Sequence, residues 1–432
     1  MTSLRTHYVE ELKGLGGKEV TVAGWAHEVR DVGKIRFVLL RDRTGIVQIT
    51  AKKGVVSDEI FDALAFPKET VIQVKGKVVE GGQSKRGMEL VPSHVEIISR
   101  VTATIPFELT GKVPADIDVR LDNRYVDLRR LETQAIFKIR AEFMRAFREK
   151  LMELKFQEIS PPSIVAAATE GGTDLFAVQY FEKPAFLAQS PQLYKQLAIV
   201  GGMDRVFMTS PVFRAEKHNT TTHLNEIVQM DAEMGFCDHH DAMDVLEKVF
   251  LHMLRSAKAN CAPQFETLKT EIIVPKSVPH HTYTELVELL NKHGVHMKWG
   301  EDFTKENEKK LGELLAEEAF FIEEWPTAIK TFYAMPVKGN EKVCNAYDLM
   351  YRGLEISSGT QRIHLPELLI EQLKARGLNP ADFEFYVNAF RMGAPPHAGW
   401  SIGIERITMQ ACRSANIREC TLFPRDRHRL TP

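Results

Sequence analysis

The stretch RVFMTSPVFRAEKHNTTTHLNEIVQMDAEMG, residues 205–235, decides the fold. Two apolar, β-like runs, RVFMTSPVF and EIVQMDAEMG, flank a polar loop from Lys217 to His223. Strand followed by neighbouring strand is the signature of an antiparallel sheet. Upstream, Ile136, Ile139, Phe143, Phe147, Leu151 and Leu154 recur at helical spacing, and a short strand, FQEI, then stops at Ser160-Pro161-Pro162. Downstream lie a helix near 240–258 and a more charged stretch, 265–335, expected to be an inserted helical subdomain. Further strand and helix segments, DLMYRGLEISS, PELLIEQLKARG and GWSIGIERITMQ, close the chain. Strands beside strands with helices in blocks favour an α+β antiparallel sheet over a parallel, doubly wound one. GxGxxG and GxxxxGK[ST] are absent from the sequence, so a nucleotide needs another kind of site.

The amino-terminal part has a different texture. KEVTVAGWAHEVR, KIRFVLLRD, GIVQITA, TVIQVKGKVVE and MELVPSHVEIIS are Val- and Ile-rich, mostly alternating, and separated by turn residues such as Gly33, Gly45, Gly81 and Gly82. Five strands in so short a span suit a small barrel; the oligonucleotide-binding (OB) barrel and other small β folds stay open on spacing alone. Residues 104–131 carry two prolines and alternating Asp and Arg, as a hinge or linker would, with charges that pair locally or touch a partner.

At 432 residues, with 44% hydrophobic and 26% charged content, the chain has the make-up of a multidomain globular protein. A formal net charge of −2 means that any polyanionic partner is held by local patches. Five cysteines, widely spaced and without a C-x-x-C pair, suggest neither a disulfide framework nor a zinc site. With no apolar run of membrane-spanning length, the expected location is cytoplasmic and no membrane partner is expected.

Three segments carry a family resemblance. The helix and strand ending at Pro161 resemble motif 1 of the class II aminoacyl-tRNA synthetases. Phe213-Arg214-Ala215-Glu216, its polar loop and LNEIVQMDAE resemble motif 2, and Gly399-Trp400-Ser401-Ile402-Gly403-Ile404-Glu405-Arg406 resembles motif 3. Their order and separation match the class. QSPQLYKQ (189–196), ATEGGTDLF (168–176) and the ending FPRDRHRLTP are similar to the archaeal-type aspartyl-tRNA synthetases, and the resemblance covers essentially the whole chain.

The resemblance implies a five-stranded OB-fold anticodon-binding barrel (1–103), a hinge (104–131) and an α+β class II catalytic domain (132–432). It implies ATP, L-aspartate and tRNA as substrates, Mg2+ as cofactor, and a homodimer built through motif 1. Arg214 is matched to the arginine holding the α-phosphate and Arg406 to the one stacking on adenine and reaching the γ-phosphate. Glu216, His223, Leu224, Glu355 and Gly403 complete the ATP set. Asp348, Glu355 and Ser358 offer hard oxygens suited to Mg2+. Glu355 and Ser358 are three apart in a strand, so presenting both on one face requires a bend. Bacterial family members have a phenylalanine near Ile227 that sandwiches adenine; the departure here leaves His223 as the candidate for the second face.

Free aspartate is already ionised at neutral pH, so activation calls for in-line placement and charge neutralisation rather than a side-chain base. Telling it from nearly isosteric asparagine requires buried positive charge. Lys195 and Arg362 match the family's pair for the side-chain carboxylate. Ser190, Gln192 and Asp231 match groups near the α-amino end, Ser358 adjoins them, and Glu170 lies in a loop expected to close over the amino acid. In the barrel Arg30, Phe37, Gln48 and Glu89 are the anticodon candidates, with Phe37 placed to stack an unpaired base. His27 stands where strict archaeal members carry a bulky aromatic, and the loop at Gly82 lacks their lysine. These two features imply charging of both tRNA-Asp and tRNA-Asn, with a partner amidotransferase converting the mischarged product. The rival readings are an asparaginyl-tRNA synthetase, a strictly discriminating aspartyl enzyme, a non-catalytic RNA-binding relative and a tRNA-independent amidating ligase. The Lys195/Arg362 pair, the intact Arg214, Glu355, Ser358 and Arg406, and the barrel argue against the first and the last two respectively.

Overall fold

The computed structural model describes residues 4–81, 87–166, 175–217 and 220–432. The chain divides into two compact units, Met1–Ala115 and Asp116–Pro432.

The first unit is a barrel of five strands in the order β1-β2-β3-β5-β4: β1 (Glu19–Asp31), β2 (Ile35–Arg41), β3 (Ile46–Lys52), β4 (Val71–Glu80) and β5 (Met88–Ser99). A short helix, α1 (Asp58–Ala63), joins β3 to β4 and is capped by Ser57, whose hydroxyl accepts the Ile60 N–H. Alternation sorts each strand's side chains: Val38, Leu40, Val47, Ile49, Ile72, Val74 and Leu90 fill the interior, while their neighbours in sequence face out. Closure between β3 and β5 is parallel and brief, resting on Gln48 opposite Glu89 and Ile49 opposite Leu90.

In the second unit, α2 (Ile117–Asp122) and α3 (Arg124–Asp127) precede the long helix α4 (Leu131–Glu153). The alternating charges expected of a linker are used here for stitching. Arg124, 1% exposed, donates to the carbonyls of Glu419, Thr421 and Leu422, and Arg120 pairs with Asp127 and Glu419. Arg429 from the chain's end reaches Asp118 and Asp122.

The main sheet has nine strands. Its path runs β12 (His280–Thr282), β13 (Ala319–Pro326), β15 (Asn340–Tyr351), β16 (Leu354–Arg362), β17 (His397–Gly403), β11 (Glu226–Gly235), β10 (Arg205–Phe213) and β6 (Gln157–Glu158), with β14 (Pro336–Val337) on β15. It is antiparallel through its centre; β6 and β12 join its two edges in parallel. A three-stranded sheet, β7 (Ile164–Val165), β9 (Lys183–Leu187) and β8 (Ala177–Tyr180), precedes α5 (Gln192–Val200). The 265–335 stretch, expected to be an inserted helical subdomain, holds the end of α7 (Ala262–Thr267), α8 (Tyr283–Lys292) and α9 (Lys305–Leu315) and also contributes β12 and β13 to the main sheet. Residues 319–323, AFFIE, are buried without alternation because both faces of that strand are covered.

One face of the sheet is sealed by α4, α6 (His239–Asn260) and α12 (Ile404–Cys412), in a core that includes Ile139, Phe143, Phe147, Phe207, Met230, Phe250, Trp400 and Ile407. Phe147 meets Phe207 and Trp400 edge-on, with ring centroids 5.7 and 6.2 Å away. Toward the carboxyl terminus, α10 (Pro366–Ala375) and α11 (Glu384–Arg391) pack with α5 in a smaller cluster around Leu193, Phe332, Tyr386 and Phe390. With Met230, Ala232, Trp400 and Ile402 turned into the main core, period-two alternation turns Asp231, Glu233, Gly399 and Ser401 to the opposite, functional face.

Candidate active site

Register builds the site. Asp348, Ser358, Ser401 and Asp231 stand opposite one another on four adjacent strands, β15, β16, β17 and β11, forming one row across the open face. The next row pairs Thr360 with Gly399 and Gly399 with Glu233. Gly399 is required there: a Cβ would lie 2.0 Å from a Glu233 carboxylate oxygen and 2.3 Å from the Ala232 carbonyl. The bend demanded by Glu355 and Ser358 is present. Ser357 pairs with Leu349 but Glu355 with Met350, so Ile356 is the extra residue of a β-bulge that brings Glu355 and Ser358 to one cleft.

That cleft is lined by Arg214, Glu216, His223, Leu224, Glu355, Gly403 and Arg406, the set expected for ATP, together with Ser358, Ile227 and Gln229. Arg406 sits in the first turn of α12 and donates to the Glu355 carbonyl at 3.0 Å, with its carboxylate at 3.5 Å. The helix bearing Arg406 is anchored from behind. Arg140 of α4 pairs with buried Glu405 at 2.9 Å, and Glu405 also accepts the Val228 N–H of β11. Asn225 fixes the chain at Arg214 by donating to the carbonyls of Arg214 and Glu216 at 2.7 and 3.0 Å. Burial and the cations Arg406, Lys305 and Arg214 hold the His223 imidazole down to about 4, so it is neutral at physiological pH.

The Lys195 and Arg362 end of this face is a closed charge network. Lys195 Nζ reaches Asp231 Oδ1 at 2.9 Å, Glu233 Oε2 at 3.4 Å and the Trp400 carbonyl at 3.3 Å. Arg362 donates to Glu233 twice, from Nε at 2.8 Å and Nη2 at 3.0 Å, and from Nη1 to Thr360 Oγ1 at 3.1 Å. Burial raises Asp231, with Lys195 opposing it; at Glu233 burial acts against ionisation too, but Arg362 and Lys195 outweigh it and its carboxyl is lowered. Ser401 donates to Asp231 Oδ2 at 3.2 Å, which ties this network to the central row. At the start of α5, Ser190 Oγ accepts the Gln192 N–H, and the Gln192 amide passes to Gln196, itself held by Tyr386 and His397.

Asp348 ends the central row on the side away from Asp231. Its Oδ2 accepts from Lys330 Nζ at 2.7 Å, while its Oδ1 is buried with no hydrogen-bond partner. Burial pushes its carboxyl up to about 6 against the pull of Lys330, and the Glu355 charge adds to the rise. An orphaned carboxylate oxygen beside a second carboxylate and a serine fits a hard divalent cation.

Some functional groups escaped the sequence reading. Glu233 was legible as the second carboxylate of the Asp-x-Glu alternation, but its bond to Arg362 needed the register. Lys305 and Glu308 of α9 were not legible at all: Lys305 contacts Thr222 Oγ1 and lies 3.3 Å from His223 Nδ1, and Glu308 accepts the Glu355 N–H at 3.3 Å. Burial and the nearby Glu355 charge lift the Glu308 carboxyl to about 7.

On the barrel, Arg30, Phe37 and Thr50 are cross-strand neighbours, and Gln48 pairs with Glu89. All face away from the barrel core. Glu89 Oε2 accepts from Gln48 at 3.2 Å and from Thr50 at 2.6 Å, and Arg30 pairs with Glu28 at 2.8 Å. His27 is not an open groove residue: Arg41 Nη1 is 2.8 Å from its Nδ1, and Arg41 is paired at 2.7 Å with buried Glu69. Gly82 and Glu170 lie outside the described residues.

The family profile described as tRNA synthetases class II (D, K and N) matches residues 116–427, and that of the OB-fold nucleic acid binding domain matches 20–98. The chain is 49% identical over 431 residues to the aspartate--tRNA(Asp/Asn) ligase of Methanocaldococcus jannaschii, covering 99% of this chain and 98% of that one. The ligase of the same name from Methanothermobacter thermautotrophicus is 47% identical over the same coverage. Among solved structures, the asparaginyl-tRNA synthetase of Pyrococcus horikoshii complexed with asparaginyl-adenylate superposes with a TM-score of 0.94 at 32% identity, covering 100% of both chains. The aspartyl tRNA synthetase of Entamoeba histolytica superposes with a TM-score of 0.88 at 32% identity, covering 99% of this chain and 92% of that one. With an OB fold at its amino-terminal end, the chain belongs to the class II tRNA synthetases of the D, K and N group.

Proposed function

We propose that this chain attaches L-aspartate to tRNA in two steps, forming an aspartyl-adenylate with release of pyrophosphate and then transferring aspartate to the tRNA with release of AMP. One observation carries the choice of amino acid: Arg362 is fixed in place by Glu233 and Thr360, yet one N–H on each terminal nitrogen meets no described residue. That leaves guanidinium donors for a carboxylate, beside Lys195, on a side chain only 3% exposed. Asparagine would bring a neutral amide to it, which forgoes the charge-assisted pairing that a carboxylate makes with these cations.

At the other end of the row, Arg214 and Arg406 hold the phosphates in line with the incoming carboxylate. Neutral His223 presents a donor without adding a proton to manage. Mg2+, held by Asp348, Glu355 and Ser358, would supply charge neutralisation on the phosphates. The tRNA anticodon is held on the outer barrel face through Arg30, Phe37, Gln48 and Glu89, where Phe37 stacks a base. The enzyme works in the cytoplasm as a homodimer through the 134–161 stretch.

The chain is relaxed toward tRNA and charges both tRNA-Asp and tRNA-Asn, an amidotransferase then converting Asp-tRNA-Asn. The names of its relatives at 49% and 47% identity support this reading. His27, clamped by Arg41 and Glu69, has little freedom to penalise the wrong third base. Aminoacylation of purified tRNA-Asp and tRNA-Asn, each with aspartate and with asparagine, tests both halves. Faster charging with asparagine refutes the amino-acid assignment, and a preference for tRNA-Asp above roughly a hundredfold, about 2.7 kcal/mol, refutes the relaxed one.

A further inference from the structure

On the main sheet, beyond the amino-acid network, His239 and His240 open α6 and Glu323 lies on β13. One ligand atom from each of these residues comes within 4.8 Å of the others. The two imidazoles sit face to face at a tilt, with centroids 3.9 Å apart, and His240 Nδ1 is 3.8 Å from Glu323 Oε2. His239 Nδ1 is buried and has no hydrogen-bond partner, although its ring also engages the Gln361 side chain. A ring nitrogen buried without a partner is expensive unless something binds it.

We propose that His239, His240 and Glu323 form a binding site for a Zn2+-class divalent cation. Two imidazoles and one carboxylate, with a fourth position open to water, are a donor set that zinc and its transition-metal neighbours take. The supporting contacts are those such sites use. His280 Nδ1 lies 2.5 Å from Glu323 Oε1, leaving Oε2 turned to His240, and Gln361 engages His239. Outer partners of this kind orient the ligands and fix the imidazole tautomer. A β-bulge next to Glu323, with Glu324 in the left-handed region at φ 53, re-aims the strand at that point.

Electrostatics permit the cation. The positive end of α6 disfavours protonated imidazoles at His239 and His240. That same helix end would repel a metal, but Asp238 and Asp241 form its capping box, and Asp244 and Glu247 add negative charge on the side of His280. Gln361 is the neighbour of Arg362 in β16, so a metal here would stiffen the strand end that carries the carboxylate-reading arginine.

The experiment uses untagged full-length protein with Zn2+ in competition with a chromophoric chelator, in excess Mg2+ so that the nucleotide cleft does not contribute. His240 is exposed, so His240→Ala keeps the fold and serves as the primary variant. His239→Gln and Glu323→Gln follow. The wild type is expected to bind one equivalent more tightly than His240→Ala by at least about tenfold to a hundredfold. Co2+ should give the intense visible bands of a four-coordinate site in the wild type and lose them in each variant. Zn2+ should raise the wild-type melting temperature and leave that of His240→Ala unchanged. Equal Zn2+ affinity in wild type and His240→Ala, or cobalt bands that survive the substitution, overturns the proposal.

Discussion

Two ends of one sheet face handle charge differently. At the amino-acid end, the Lys195, Asp231, Glu233 and Arg362 side chains are between 0% and 3% exposed and already paired with one another. At the nucleotide end, Arg406 and Glu355 are 26% and 35% exposed, and their carboxylate–guanidinium contact is a loose 3.5 Å. The first end is assembled before any ligand arrives, which suits its proposed role, since discrimination between two nearly isosteric amino acids depends on charges whose positions do not relax. The second stays wet, since ATP brings its own counter-charge problem and the arginines acquire their partners on binding. The lesson is that selection and catalysis use the same residue types at different burial.

The comparison breaks most visibly at Arg362. Replacing it with Gln removes the fork and leaves Glu233 buried without its partner, so both functions of the site fail together. We expect aspartate-dependent pyrophosphate exchange to be lost and unfolding stability to drop by about 3–5 kcal/mol. Denaturant melts measure the second effect. An unchanged melt would mean that the network is not as tightly coupled as its geometry indicates.

Arg406→Ala should separate the same two effects at the open end. The expected loss is about 3–4 kcal/mol in kcat/KM for ATP, since the arginine meets charge that develops during transfer. The change in stability should stay below about 1 kcal/mol, because the contact it loses is half-solvated. Parallel pyrophosphate exchange and thermal melts decide it, and a melt as damaged as that of Arg362→Gln would erase the distinction between the ends.

In the barrel, Phe37→Ala sharpens the contrast by acting on neither end. Phe37 is on the outer face, outside the buried barrel cluster, so its loss should cost about 1–3 kcal/mol in tRNA use and leave adenylate formation at its wild-type rate. If pyrophosphate exchange falls along with charging, the ring has a structural role.

How much of this could be read from residues alone depends on how far apart the partners lie in the chain. Arg214, Glu216 and His223 sit in one strand-loop-strand stretch, and Gly399 to Arg406 in another, so local pattern was enough to place them. The need for a bend between Glu355 and Ser358 followed from side-chain alternation, and Ile356 supplies it. Glu233 escaped as the holder of Arg362 because the pairing joins β11 to β16 across β17, and only register shows that Gly399 is the gap it passes through. The Asp and Arg alternation at 116–129 pairs partly within itself, as Arg120 and Arg124 do with Asp127, but its other partners are 290 or more residues away in the carboxyl-terminal segment and left no local signal. Nothing local to His27 announces that it meets the buried pair of Arg41 with Glu69.

The smallest expected effect is at Lys305, where the helix α9 meets the open end. Lys305 contacts Thr222 and lies 3.3 Å from His223 Nδ1, a nitrogen that Thr220 Oγ1 also approaches at 2.8 Å. Donation by the ammonium makes Nδ1 the acceptor and leaves the N–H on Nε2 as the donor available to the cleft. The same ammonium, after burial and Arg406, helps hold the imidazole at about 4, below its ordinary 6.5. Lys305→Met removes a repelling cation, so protonation of His223 becomes easier and its titration moves up toward the ordinary value. The acid limb of kcat/KM for ATP should therefore shift to higher pH, while the alkaline limb stays where it is. At neutral pH the imidazole is still largely neutral, and Lys305 is mostly solvated, so the loss there should be about 0.5–1 kcal/mol, roughly two- to fivefold in KM. Lys305→Arg keeps the charge and the donor and should restore the acid limb. An acid limb that does not move in Lys305→Met, with kcat and KM at their wild-type values at every pH, would place Lys305 among solvated surface lysines and leave the open end to Arg214 and Arg406.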